Sequence, residues 1–277
     1  MNTLYITDLD GTLLHSDATL SEYEIGKIKE FYERGILFSV ATARSMITGG
    51  QVLKGVTLSA PAILMNGVFV YDFEKNQVIK YCEIQNEPYR KVLKIFEKHS
   101  LHPNVFSFDG EKLSIQCTGI DTPAMQWFFD TRKVMLDGRF YKVDSLYKLP
   151  ANQSPVYFNF FAQKDLLLPV VEELESISGI SFAFYPDQYT DGWLLEVFAD
   201  TASKSNAVKF LKEYMQAEKI VAFGDNLNDI PMLSVADTSV AVSNAVPQVK
   251  EIADIIIGEN NDDSVVKFIA KENGIEI

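Results

Sequence analysis

The sequence predicts an α/β protein in which both ends of the chain build one doubly wound parallel sheet and an α+β domain is inserted between them. Three observations carry this. Over residues 1–80 and again over 190–277, short, nearly continuously apolar strands alternate with helices, the pattern of a parallel sheet covered on both faces. Residues 81–189 change to hairpin-like, aromatic-rich strands with helices interspersed, which suits an α+β layer. A chain of 277 residues is also long enough to bury two cores.

Taken in order, Leu4–Thr7 is the first strand. Ser21-Glu22-Tyr23-Glu24 has the form of a capping box, and Leu20 and Ile25 are spaced for a hydrophobic staple. A helix should start there and run to about Arg34, with Gly35 just past its end. Ile36–Ala41 is the second strand, and "PAILMNG" (61–67) the third, closing on the turn signal Asn66-Gly67. In the insert, helices are predicted at Glu87–His99, Thr122–Val134 and Asp165–Ile177, with turns at Asp109-Gly110 and Asp137-Gly138. The strand "VYFNFFA" (156–162) carries Tyr157, Phe158, Phe160 and Phe161, which read as the core of the inserted domain. The first pattern resumes with a helix at Ser203–Met215, a strand at Ile220–Phe223 and a short helix at Asp229–Val235. Strands at Ser239–Val242 and Asp254–Ile257 and a helix at Asp262–Glu272 close the chain.

The composition is that of a globular protein, 47% hydrophobic and 23% charged. No apolar run approaches the roughly 18 residues that a membrane helix needs. The N-terminus has no basic stretch leading into a long apolar one, so no export signal is expected. Cys82 and Cys117 form no disulfide framework and have no basic cluster beside them, so inert thiols in a reducing cytoplasm are expected. A net charge of −13 argues against nucleic acid or an anionic membrane as a partner. It still permits a small anionic substrate received by a local cation. His15, His99 and His102 show no metal-ligand spacing, so no zinc site is expected.

Three predicted strands end in polar residues: the first in "DLDGT" (8–12), the second in "ATAR" (41–44), and the strand at 220–223 in "GDNLND" (224–229). The carboxyl ends of parallel strands line the ligand crevice of an open α/β sheet, so these distant segments are expected to converge. They bring Asp8, Asp10, Thr42, Asp225, Asn228 and Asp229, with Lys204 available from the start of the preceding helix. Several acids without a histidine suit hard oxygen ligation of Mg²⁺. Lys204 adds a point charge suited to phosphate, in a first helical turn where the macrodipole disfavours a cation. Together these residues point to phosphoryl chemistry, in which positioning and charge neutralisation supply most of the catalysis.

"DLDGTLL", "ATAR", the Lys204 of "ASKSNAVKFL" and "FGDNLNDIPML" resemble the four motifs of the haloacid dehalogenase (HAD) superfamily. Their order, and the large insert between the second and third, resemble its Cof-type sugar-phosphatase branch with a class IIB cap, as does "NAVPQVKEIAD" (244–254). The resemblance implies a Rossmann-like core with a cap that selects the substrate. It implies that Asp8 is the nucleophile and forms an aspartyl-phosphate, and that Asp10 serves the leaving oxygen as acid and then water as base. Thr42, Ala43, Arg44, Asn66, Lys204 and Asn228 would hold the phosphorylated substrate. Asp8, the Asp10 backbone carbonyl and Asp225 would ligate Mg²⁺, with Asp229 supporting them from behind.

The expected activity is a Mg²⁺-dependent phosphatase acting on a small phosphorylated metabolite, a sugar phosphate by preference. A phosphotransferase or phosphomutase on the same core, and a non-catalytic phosphate-binding regulator, are the rival readings. The chain departs from the branch at Ala43, where glycine is usual, at Asp263-Ser264, where an acid–glycine pair is more common, and at Val68 after Asn66-Gly67. Tyr185, Tyr189 and Trp193 lie near the predicted return to the core and are given no site role.

Overall fold

Leu4, Tyr5 and Ile6 are buried on both faces of the first strand, β1 (Thr3–Thr7), as a central parallel strand requires. The computed structural model describes residues 2–187 and 190–276. The chain divides into one unit of Met1–Tyr81 with Ser203–Ile277 and a second of Cys82–Ala202.

In the first unit α1 (Glu22–Glu33) begins at the predicted capping box: Ser21 Oγ accepts from the Glu24 N–H, and Glu24 Oε2 accepts from the Ser21 N–H. There follow β2 (Leu37–Val40), α2 (Met46–Val52), β3 (Ala62–Leu64), β4 (Phe69–Asp72) and β5 (Gln77–Tyr81). The single strand expected from "PAILMNG" is therefore the first of a three-stranded antiparallel meander. A parallel bridge between Ala41 and Ile63 joins that meander to β2.

The inserted unit contains α3 (Asn86–Lys98), β6 (Asn104–Phe108), β7 (Leu113–Cys117), α4 (Pro123–Met135) and β8 (Phe140–Lys142). It continues with β9 (Ser154–Ala162), α5 (Lys164–Leu174), β10 (Ile180–Pro186) and β11 (Trp193–Ala199). Its six strands run β10-β11-β9-β6-β7-β8, antiparallel except for β7 with β8. Alternation along β9 sends Phe158 to Tyr89 and Phe96 of α3, with ring centroids 5.4 and 6.4 Å away. Phe161, on the other face, meets Phe128 of α4 at 5.1 Å. The aromatic stripe is thus a two-sided core. Cys117 lies within this unit, and burial pushes its thiol up to about 11.

The return to the first unit falls after Ala202, not at residue 190. β11 pairs with β9 on one side and β10 on the other, and an apolar strand carries no mark of which sheet it joins. Tyr185 donates to Glu196 at 2.9 Å, and the Trp193 ring packs 4.6 Å from Phe184. Tyr189 lies outside the described residues.

The chain then forms α6 (Lys204–Tyr214), β12 (Lys219–Gly224), α7 (Ile230–Leu233), β13 (Thr238–Ala241), α8 (Pro247–Ile252), β14 (Ile255–Ile256) and α9 (Ser264–Glu272). α9 starts two residues later than predicted because Asp263 takes a left-handed φ of 54°. The main sheet is parallel throughout, in the order β14-β13-β12-β1-β2. From the β1/β12 pair the chain steps outward to β2 on one side and to β13 and β14 on the other. That makes the carboxyl ends of β1 and β12 the switch point where such sheets bind ligands. No helix among the described residues is long and apolar enough to cross a membrane.

Candidate active site

Asp8 follows β1 at this switch point, and its N–H donates to the Phe223 carbonyl of β12 at 3.0 Å. That bond holds Asp8 beside the Gly224-Asp225 corner. Lys204 opens α6 and is only 3% exposed. A lysine in a first helical turn opposes the helix dipole, and two carboxylates compensate it here. Its Nζ donates to Asp8 Oδ1 at 2.5 Å and to Asp229 Oδ1 at 2.7 Å. Asp229 is fully buried, and its Oδ2 accepts from the backbone N–H groups of Asp225 and Asn226 at 3.0 and 3.1 Å. Asp225 Oδ1 accepts from the Thr12 hydroxyl at 2.8 Å.

Oxygens of Asp8, Asp225 and Asp229 lie within 4.8 Å of one another. Three acids around one lysine leave a surplus of negative charge. Burial pushes Asp8 well above the usual carboxylate range, against the pull of Lys204. Burial, aided by Asp229, pushes Asp225 up to about 6. Burial would lower Lys204, but Asp229 and Asp8 outweigh it and hold the ammonium charged. An all-oxygen donor set with excess negative charge fits a hard divalent cation such as Mg²⁺. The loop is shaped for close approach as well: a Cβ on Gly11 would stand 2.6 Å from Asp225 Oδ2.

A second group gathers at the end of β2. Thr42 is buried, donates its N–H to the Ile63 carbonyl at 2.9 Å and accepts from the Arg44 N–H on Oγ1 at 3.1 Å. The Arg44 guanidinium forks onto Asp10, Nε to Oδ2 at 2.7 Å and Nη2 to Oδ1 at 2.5 Å. Asn66 donates its N–H to the Thr42 carbonyl at 3.0 Å, and its Oδ1 is buried without a hydrogen-bond partner. Ala43 and Asn228 are exposed. The 3₁₀ turn at Leu227–Asp229 is capped by Asn226 rather than by Asn228.

Sequence reasoning overlooked two supporting side chains. Thr12, which the sequence reading gives no role, donates to Asp225, and a hydroxyl directly after the motif glycine is the signal that points to it. Asn244 donates Nδ2 to the Gly11 carbonyl at 2.7 Å and accepts from the Asn260 N–H at 3.0 Å, which pins the loop after β1. Nothing local to Asn244 in the sequence foretells that contact.

Gly67 sets the distance between the two groups. It follows left-handed Met65 and Asn66 and itself has φ +101°. A Cβ there would lie 2.3 and 2.4 Å from the carbonyl oxygen and carbon of Ser203, the residue that caps α6 ahead of Lys204. Gly67→Ala is expected to cost about 2–4 kcal/mol and to displace Lys204. A lowered urea midpoint checks it, whereas an unchanged midpoint would show that the close approach is not needed.

The sequence model of the haloacid dehalogenase-like hydrolases matches residues 5–269. The pyridoxal phosphate phosphatase YbhA of Escherichia coli K12 is 30% identical over 273 residues, covering 95% of each chain. The 5-amino-6-(5-phospho-D-ribitylamino)uracil phosphatase YitU of Bacillus subtilis is 24% identical, covering 96% of each. Among solved structures, TM0651 from Thermotoga maritima matches with a TM-score of 0.77 at 25% identity, covering 98% of this chain and 97% of its own.

Proposed function

Because the chain belongs to the haloacid dehalogenase-like hydrolases and is a phosphatase, we propose that it hydrolyses a small phosphorylated metabolite with Mg²⁺, through a phosphoryl group carried on Asp8. A sugar phosphate is the preferred substrate class; the two named relatives act, by their names, on other small phosphorylated compounds. The observation that carries the reading is the buried Asp8–Lys204–Asp229 chain beside Asp225. A carboxylate held this way faces a cation on one side and has a second acid, Asp10, two residues on.

Asp8, Asp225 and the Asp10 carbonyl would hold Mg²⁺, with Asp229 behind them. When bound, the ion neutralises charge between these acids and the phosphoryl oxygens. The Asp8 carboxylate attacks phosphorus, the bond to the leaving oxygen breaks, and Asp10 passes its proton to that oxygen. Water then gives a proton to Asp10 and attacks the same phosphorus, breaking the bond to Asp8 and releasing phosphate. Thr42, Asn66, Asn228, Lys204 and the backbone at Ala43 would orient the phosphoryl oxygens. Both Asp10 oxygens accept from Arg44, so this pair has to open before Asp10 can serve the leaving oxygen. A phosphate dianion competes for that guanidinium, so substrate entry would free Asp10 and turn Arg44 to the substrate.

The test is turnover of a panel of phosphorylated metabolites by the full chain, with Mg²⁺ and with a chelator. Activity should vanish on chelation, return with Mg²⁺ and be highest on sugar phosphates. A flat panel would overturn the sugar preference, and phosphate recovered on an added sugar instead of in water would overturn hydrolysis. pH offers a further check. Asp225 sits near 6 and Asp8 is also raised, so protons compete with the metal for both. The Mg²⁺ concentration for half-maximal activity should rise as pH falls through about 6, by about tenfold per pH unit for each proton the metal must displace. A constant value down to pH 5 would remove Asp225 from the ligand set.

A further inference from the structure

We propose a second divalent-metal site, separate from the Asp8–Asp225–Asp229 cluster, formed by His15, Glu24 and Asp263 and suited to Zn²⁺ or another late first-row cation. The three residues come from the loop after β1, the first turn of α1 and the residue before α9, so their spacing in the sequence shows no ligand pattern. Folding brings them together. His15 Nε2 lies 3.1 Å from Asp263 Oδ1 and 3.9 Å from Glu24 Oε2. One ligand atom from each residue falls within 4.8 Å of the others. A tetrahedral zinc ion with bonds of about 2.0–2.1 Å has ligand-to-ligand edges of about 3.3 Å, between those two distances.

A second observation points to a ligand. Glu24 is 1% exposed, and its Oε1 is buried with no hydrogen-bond partner, while Oε2 takes the Ser21 N–H and faces His15. A buried carboxylate short of donors is costly, and a cation held at Oε2, between Glu24 and His15, would offset its charge. The neighbouring groups already orient the donors. Ser21 Oγ donates to Asp263 Oδ1 at 2.7 Å, and Lys267 Nζ stands 3.7 Å from the other oxygen, Oδ2. His15 remains 27% exposed, which leaves an entry path and room for water as a fourth ligand.

The donor set selects the metal. An imidazole with two carboxylates suits Zn²⁺, Mn²⁺, Fe²⁺, Co²⁺ or Ni²⁺, whereas Mg²⁺ and Ca²⁺ prefer oxygen alone. His99 with Glu173 and His102 with Asp121 are two-residue pairs and lack a third ligand among the described residues. An ion at His15 would clamp the loop leaving Asp10 to both α1 and α9. The backbone contacts there, Asn260 Nδ2 to the Leu14 carbonyl and the Ser16 N–H to Asn261 Oδ1, already follow the same line.

The experiment uses the full chain, stripped with chelator and kept in excess Mg²⁺, then titrated with Co²⁺ and with Zn²⁺. One Co²⁺ per chain should give the visible absorption of a low-coordinate nitrogen–oxygen site, Zn²⁺ should displace it, and Zn²⁺ should raise Tm. His15→Asn should lose the absorption and the Tm rise and bind Zn²⁺ roughly tenfold or more weakly. Asp225→Asn and His102→Asn should keep all three. If His15→Asn fails to fold by circular dichroism, Asp263→Asn takes its place with the same expectations. Unchanged Zn²⁺ binding in His15→Asn, or binding lost in Asp225→Asn and kept in His15→Asn, overturns the proposal.

Discussion

Asp8→Asn is expected to lower Mg²⁺-dependent turnover of a generic aryl phosphate by about 10⁴-fold or more, without loss of stability. The amide has nearly the same shape, and its oxygen can still accept from Lys204, which keeps Asp229 as its counter-ion. What disappears is the proposed nucleophile and one ligand of the proposed metal. The stability side has a definite sign. Burial raises Asp8 well above its unfolded value, so the ionised side chain weakens the metal-free fold at neutral pH. Removing that charge should leave the urea midpoint level or higher. A variant that turns over at a near-native rate would sink the covalent mechanism; a variant that unfolds would sink the electrostatic account of the site.

Lys204→Met should do the reverse and damage both properties. Methionine fills a similar volume, but Asp8 and Asp229 are left buried, close together and without their shared cation. Breaking a buried pair from one side typically costs about 3–5 kcal/mol, and at this chain length roughly 10 °C in Tm. Turnover should fall about 10³-fold, because Asp8 is no longer steadied and, in the proposed mechanism, the phosphoryl group loses a positive contact. Lys204→Arg should rescue little, since a planar fork does not fit a 3% exposed position shaped for one ammonium. Added Mg²⁺ should recover part of the stability and little of the activity. Equal Tm values for Lys204→Met and the parent chain would mean that the ion triad is not what holds these acids.

Much of this was legible in the chain itself. The capping box at Ser21 and Glu24 is a contact between residues three apart, so it can be read directly and is found as read. Polar residues ending apolar strands announce a crevice, and Asp8, Lys204, Asp225 and Asp229 do meet at one switch point. A boundary at residue 190 leaves β11 with the core, whereas it pairs with β9 and β10; "WLLEVFA" is apolar enough for either sheet, and pairing partners leave no trace in periodicity. That Arg44 reaches Asp10 is not legible either, because the reach of a long side chain is decided by what lies across the crevice.

Local rules acting over a few residues thus determined the elements, and polar residues at strand ends, with Lys204 at a helix start, determined which side chains were to be expected at the switch point of this haloacid dehalogenase-like hydrolase. Only tertiary structure decided the partners: Arg44 on Asp10, Thr12 on Asp225, Asn244 on Gly11, and His15 with Glu24 and Asp263. The reason is physical. Capping and periodicity depend on backbone geometry between near neighbours, whereas a buried charge or an amide takes its partner from whatever segment the packed sheet and helices bring within about 3 Å.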